Sequence, residues 1–138
     1  MKKKIIWLTG LSGSGKTTIA KFISKKIKLK NFRILIIDGD KYRSKKKYKN
    51  NFSKKKIYEN NLSIIEHIDK IYKNYDFIIV SVISPLKKTR ALAKKKFGNN
   101  YYEVFVNCTI SELIKRDTKK LYANNKIGKI KNLIGYNS

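Results

Sequence analysis

Apolar and polar positions along this chain fall into blocks of two different periods. Lys4 to Thr9 is a near-continuous apolar run, the pattern of a strand covered on both faces. From about Lys16 to Leu29, Ile19, Phe22, Ile23 and Ile27 recur at helical spacing with lysines on the other side, which predicts an amphipathic helix. Arg33 to Ile37 predicts a second strand that ends at Asp38-Gly39-Asp40. Lys41 to Asn51 is polar and basic and reads as a loop or short helix lining a site. Ser53 is placed to cap a longer helix to about Tyr72 that buries Ile57, Leu62, Ile65 and Ile68. Phe77 to Val82 predicts a third strand delivering Ile83-Ser84-Pro85 at its carboxyl end, with Pro85 opening the next helix. Tyr102 to Asn107 and Ser111 to Arg116 predict a fourth strand and a further helix. Strands alternating with helices imply an α/β fold, a largely parallel sheet with helices on both faces.

After Arg116 the periodicity fades, and Asp117 to Ser138 reads as a mobile segment with little core of its own. A chain of 138 residues fits one domain. Its 34 basic and 9 acidic residues give a formal charge of +25, which by itself suggests a polyanionic partner. The basic residues are nearly all lysines spread among Ile and Asn, however, whereas phosphate and base readout favour arginine forks. The charge therefore reads as composition, and no dedicated nucleic-acid partner is expected. The four arginines, Arg33, Arg43, Arg90 and Arg116, carry more information than any lysine. A single cysteine, Cys108, gives no internal disulfide and reads as a buried thiol at a strand end. The apolar run after the basic start is too short for a signal segment or a membrane span, so a cytoplasmic location is expected. His67 has no second ligand at metal spacing and reads as a surface or half-buried side chain, and Trp7 as core.

The chemistry begins at Gly10-Leu11-Ser12-Gly13-Ser14-Gly15-Lys16-Thr17-Thr18, a P-loop pattern between a buried strand and a helix start. Its glycines let successive N–H groups turn inward on phosphate oxygens, and the helix N-terminus adds its positive end. Lys16 reaches the β and γ phosphates and the Thr17 hydroxyl ligates Mg²⁺, which implies a P-loop NTPase fold using ATP and Mg²⁺. A guanine-specific switch is disfavoured, because Asn125-Lys126-Ile127-Gly128 lacks the final Asp. A motor needs more chain. Asp38 and Asp40 stand where open α/β sheets place their ligands, and alternation along an extended segment puts both side chains on one side. One can hold Mg²⁺ and the other accept the proton of an acceptor hydroxyl, with Arg43 gripping an acceptor anion, so the pattern favours a kinase.

In its order and spacing of motifs the chain resembles adenylylsulfate (APS) kinases. The likeness rests on Gly10 to Thr17, Asp38-Gly39-Asp40-x-x-Arg43, Phe52-Ser53 with Glu59-Asn60, and Ile83-Ser84-Pro85 with Arg90. It continues through Glu103-Val104-Phe105-Val106, Arg116-Asp117-x-Lys119-x-Leu121-Tyr122 and Gly128-x-Ile130-Lys131-x-x-x-Gly135. The resemblance implies transfer of a phosphoryl group from MgATP to the ribose 3′-hydroxyl of APS, in sulfate activation. It implies catalytic roles for Lys16, Asp38, Asp40 and Ser84, metal binding by Thr17 and Asp38, and ATP contacts by Gly10 to Thr18 and Arg116. Acceptor contacts fall to Asp40, Arg43, Phe52, Asn60, Ile83, Ser84, Lys119 and Leu133. Ser84 matches the position to which a phosphoserine intermediate has been assigned in the family, although direct in-line transfer is simpler and favours a binding role. Residues 117–135 would form a mobile lid, and a homodimer is a possible assembly. Beyond Ser138 the resemblance implies a further strand and helix.

The departures lie on the acceptor side. Ile57 stands where the family pattern has an arginine, Leu62 and Ser63 replace arginines after Asn60, and Leu133 replaces an aromatic that would pair with Phe52. These changes leave a second acceptor open, another nucleotide such as cytidine diphosphoramidate in capsule modification. A non-catalytic nucleotide- or RNA-binding relative is the alternative from another class.

Overall fold

The structure is a computed structural model that describes residues 2–44 and 53–116. Its elements follow in the order β1 (Lys4–Thr9), α1 (Lys16–Lys28), β2 (Ile34–Asp38), α2 (Gly39–Ser44), α3 (Lys54–Ile71), β3 (Phe77–Val82), α4 (Lys87–Phe97), β4 (Tyr101–Phe105) and α5 (Ile110–Arg116). The strands form a parallel sheet in the order β2-β3-β1-β4. Thr9 is in register with Val82 and with Phe105, and Asp38 with Ser81, so the carboxyl ends of all four strands meet along one edge.

Strict alternation in the central strands sorts the core into two layers. Ile5 and Trp7 of β1 join Ile78, Val80 and Val82 of β3 beneath Ile64, Ile65 and Ile68 of α3 and Ala93 and Phe97 of α4. On the other face Leu8 and Ile79 pack with Ala20, Ile19, Ile23 and Ile27 of α1. The central strands β1 and β3 thus bury both faces, as their unbroken apolar runs require, while the edge strand β4 leaves Tyr102, Val104 and Phe105 exposed.

The expected boundaries of β1 and β3 are met, and Ser53 caps α3 by accepting a hydrogen bond from the Lys56 N–H at 3.3 Å. Four local expectations are corrected. Phe22 sits on the expected apolar stripe of α1 yet is 63% exposed, its ring under the Lys26 ammonium. Here β2 and the sheet below α1 are covered by Ala20 and the isoleucines of α1. Pro85 does not open α4, which starts at Lys87 with Leu86 at the N-cap. Strand β4 runs from Tyr101 to Phe105 and stops short of Asn107. Finally, Asp38 closes β2 while Gly39 and Asp40 already belong to α2, so the two carboxylates are not related by strand alternation. The Asp40 N–H donates to Asp38 Oδ1 at 2.9 Å, and this bond turns the chain from strand into helix.

That turn fits only glycine. A Cβ on Gly39 would lie 2.6 Å from Val82 Cγ2 and 3.1 Å from the Ser81 carbonyl oxygen. Gly39→Ala is expected to destabilise the protein by about 1–3 kcal/mol, because β3 behind it is packed and cannot retreat. A thermal melt lowered by several degrees checks this, and an unchanged melt would show that the turn has slack.

Candidate active site

The loop after β1 wraps its own lysine. Gly13 and Gly15 take positive φ of 83° and 102°, and Gly10, with φ of 154°, lies so near the Val106 carbonyl that a Cβ would approach it to 2.6 Å. The result is a tight backbone cradle that opens into α1. Lys16, on its first helical turn, is buried, and its ammonium donates to the carbonyls of Gly10 and Leu11, both at 2.8 Å. A buried ammonium is stable there because main-chain oxygens replace its water. Ser12 and Ser14 are also buried, and Ser14 Oγ has no hydrogen-bond partner, a polar atom in the loop that an anion can satisfy. Thr18 points to the exposed side of α1. Arg116, at the end of α5, reaches back with its Nη1 to the Gly13 carbonyl at 3.3 Å while its Nε pairs with Glu112 at 3.1 Å. This contact places Arg116 beside the P-loop backbone.

Beside the loop, oxygen ligands converge. Thr17 Oγ1 lies 3.5 Å from Asp38 Oδ2 and 3.4 Å from Ser81 Oγ. These are hard hydroxyl and carboxylate donors next to a phosphate cradle, the donor set that Mg²⁺ takes when it keeps several waters. Ser81 was not singled out from the sequence. Its signal was there to find, as the hydroxyl within the apolar run of β3.

Two clefts flank this centre. One, of about 440 Å³, is lined among others by Thr9, Gly10, Ser84, Pro85, Arg90 and Glu103. The other, of about 350 Å³, is lined among others by Thr17, Lys21, Asp38, Lys41, Tyr42 and His67. Ile83 and Ser84 stand in the wall of the first, and both are buried. Asn60 is buried on α3 with its Oδ1 unpartnered, an acceptor atom available to a ligand N–H. His67 is exposed, 6.1 Å from the Tyr42 ring centroid, and Trp7 is fully buried. Cys108 is half-buried beyond β4, where it packs with Leu11 against Leu113. Arg43 lies on α2. Phe52, Lys119, Leu133 and the lid expected over 117–135 lie outside the described residues. Among the described residues no helix is long and apolar enough to cross a membrane.

Beside the first cleft, Thr9 and Asn61 were missed in the sequence, and Arg90 and Glu103, both in the quoted motifs, were not read as a pair. Arg90 Nε meets Glu103 Oε1 at 3.0 Å, and the Tyr101 hydroxyl donates to Glu103 Oε2 at 3.0 Å. Burial, and then the neighbouring Glu103 carboxylate, push the Tyr101 phenol above its ordinary pKa. A raised folded-state value means that this group contributes stability below the unfolded pKa, and that the contribution is lost as pH rises through the folded value. The wild type is therefore expected to lose melting temperature above about pH 10 more steeply than Tyr101→Phe. Melts from about pH 8 to 11 test this, and parallel slopes would sink it.

Comparison with known proteins agrees with the geometry. The adenylylsulphate kinase family model matches residues 2–138. The chain is 42% identical over 132 residues to the "Probable adenylyl-sulfate kinase" of Pyrococcus abyssi, covering 95% of this chain and 75% of that one. It is 34% identical over 132 residues to the adenylyl-sulfate kinase of Picosynechococcus sp., covering 94% of this chain and 73% of that one. The APS kinase CysC of Mycobacterium tuberculosis, solved in complex with AMPPNP and APS, superposes with a TM-score of 0.88 at 32% identity, covering 99% of this chain and 81% of that one. A P-loop with its lysine seated, a threonine–aspartate pair beside it and these relatives lead to one conclusion: this chain belongs to the adenylylsulphate kinase family.

Proposed function

We propose that this chain transfers the γ-phosphoryl group of ATP to the ribose 3′-hydroxyl of adenylylsulfate. The observation that carries the reading is the convergence of Lys16, Thr17 and Asp38 on one glycine cradle, with the Ile83-Ser84 segment on the neighbouring strand end. Lys16 exchanges two neutral carbonyl partners for the β and γ phosphate oxygens, where its charge offsets the charge that moves during transfer. Thr17 and Asp38 hold Mg²⁺, which when bound neutralises phosphate charge. Asp40, one residue beyond the Gly39 turn, takes the proton of the 3′-hydroxyl. The freed oxygen forms its bond to the γ-phosphorus, the bond from that phosphorus to the β–γ bridging oxygen breaks, and the electron pair leaves with ADP. Arg116 holds the donor side of the site through the P-loop. Arg43, Phe52, Asn60, Lys119 and Leu133 serve the acceptor.

Ser84 acts as a binding group in this reading. It is 1% exposed and its Oγ already accepts a hydrogen bond from Asn61 at 3.3 Å, a poor arrangement for a nucleophile that must meet the γ-phosphorus in line. One observation supports a second acceptor, another nucleotide such as cytidine diphosphoramidate. Ile57, 5% exposed, is core packing where the family pattern has a cation, so α3 offers no charge there for an anionic group.

Release of ADP from MgATP, measured with adenylylsulfate and with cytidine nucleotides offered separately, decides between them. Adenylylsulfate-dependent turnover is the expected result. Turnover with another nucleotide alone would reassign the acceptor, and none with any would leave a nucleotide-binding relative without this activity.

A further inference from the structure

Asn61 occupies a core position on α3. It lies four residues after Ile57 and three and seven before Ile64 and Ile68, and it is fully buried. An amide at such a place costs stability unless both of its ends are bonded. Its Nδ2 donates to Ser84 Oγ at 3.3 Å and to the Ile83 carbonyl at 3.4 Å, while its Oδ1 has no hydrogen-bond partner. A carbonyl can only accept, so the nitrogen must face Ile83 and the orientation of the amide follows. A half-bonded amide packs no better than leucine of similar size, so packing alone gives no reason for it.

The other side of Ser84 is held as firmly. Its carbonyl accepts from Arg90 Nη1 at 2.6 Å and from Thr9 Oγ1 at 3.2 Å. The same guanidinium is anchored through Nε on Glu103, which Tyr101 holds in turn. Ser84 is therefore fixed from α3, β1, α4 and β4 at once. We propose that Asn61 and Arg90 are positioning residues that lock the Ile83-Ser84-Pro85 segment against the cleft, so that the acceptor nucleotide meets a preformed wall. Because Asn61 spends its donor on Ser84 Oγ, the serine hydroxyl keeps its own proton to donate to the acceptor. The proposal rests on the reading of this segment as an acceptor contact.

Asn61→Leu tests it while keeping the core apolar and filled. The variant is expected to melt at or above the wild-type temperature. The backbone amides of Ile83, Ser84 and Leu86 should exchange with solvent about tenfold faster, the scale of one lost hydrogen bond. The KM for adenylylsulfate should rise about tenfold on the same scale, with the KM for ATP unchanged. Arg90→Lys, which keeps the charge but cannot serve Ser84 and Glu103 together, should give the same signature if Asn61→Leu fails to fold. Unchanged exchange overturns the proposal, as does faster exchange with an unaltered acceptor KM. If the wild type does not turn over adenylylsulfate, the acceptor reading fails, and the exchange measurement alone then decides whether the two residues position the segment.

Discussion

Replacing Lys16 by alanine is expected to lower MgATP turnover by about 10³-fold while leaving the chain folded. The ammonium seated on the Gly10 and Leu11 carbonyls is the charge nearest to where a cradled phosphate must lie. Phosphoryl transfer asks little covalent chemistry of a protein, so most of the barrier is lowered by positioned charge. Arg116 also reaches the loop, but its Nη1 is on the Gly13 carbonyl and its side chain is exposed. The structural cost is small by comparison. Two loop carbonyls beside an open cleft lose a partner that water can replace, about 1 kcal/mol. ADP release with melting as the control checks this. Retention of more than about a tenth of the activity would mean that Lys16 is a structural strut of the loop.

The sheet was legible because its code is local. An unbroken apolar run can be a strand buried on both faces, and the runs 4–9 and 77–82 became β1 and β3 without adjustment. The P-loop was legible for the same reason, since its glycines, Lys16 and Thr17 are consecutive. What the sequence hid depends on partners far along the chain. Asp38 and Asp40 read as alternate residues of an extended segment, yet the seat of Gly39 against Val82 lets a helix begin there. Phe22 follows the helical period faithfully, but period defines a stripe and not its width, and α1 covers the sheet with Ile19, Ile23 and Ile27. Asn61 meets Ser84 across 23 residues, and Arg90 meets Glu103 from a different element. The one local trace of Asn61 was an amide on the buried stripe of α3.

Asp38→Asn and Asp40→Asn are expected to fail in different ways, and the difference assigns their roles. Asp38 has both oxygens committed near the loop: Oδ1 accepts from the Asp40 N–H at 2.9 Å, and Oδ2 lies 3.5 Å from Thr17 Oγ1. Asparagine preserves the first contact through its own carbonyl oxygen and removes the negative charge beside Thr17. Its activity should therefore fall about 10²-fold at low Mg²⁺ and recover in part as Mg²⁺ is raised, because a metal site that loses a charged ligand is weakened rather than erased. Asp40 lies past the turn, and its proposed task is to take a proton. An amide cannot do this, so kcat should fall by about 10²–10⁴-fold with no change in the Mg²⁺ requirement. The Mg²⁺ dependence of the two variants, measured side by side, checks the assignment. If Asp40→Asn is the one rescued by Mg²⁺, the roles are exchanged; if neither variant loses activity, the carboxylates after β2 serve the turn into α2 and the proton leaves by another route.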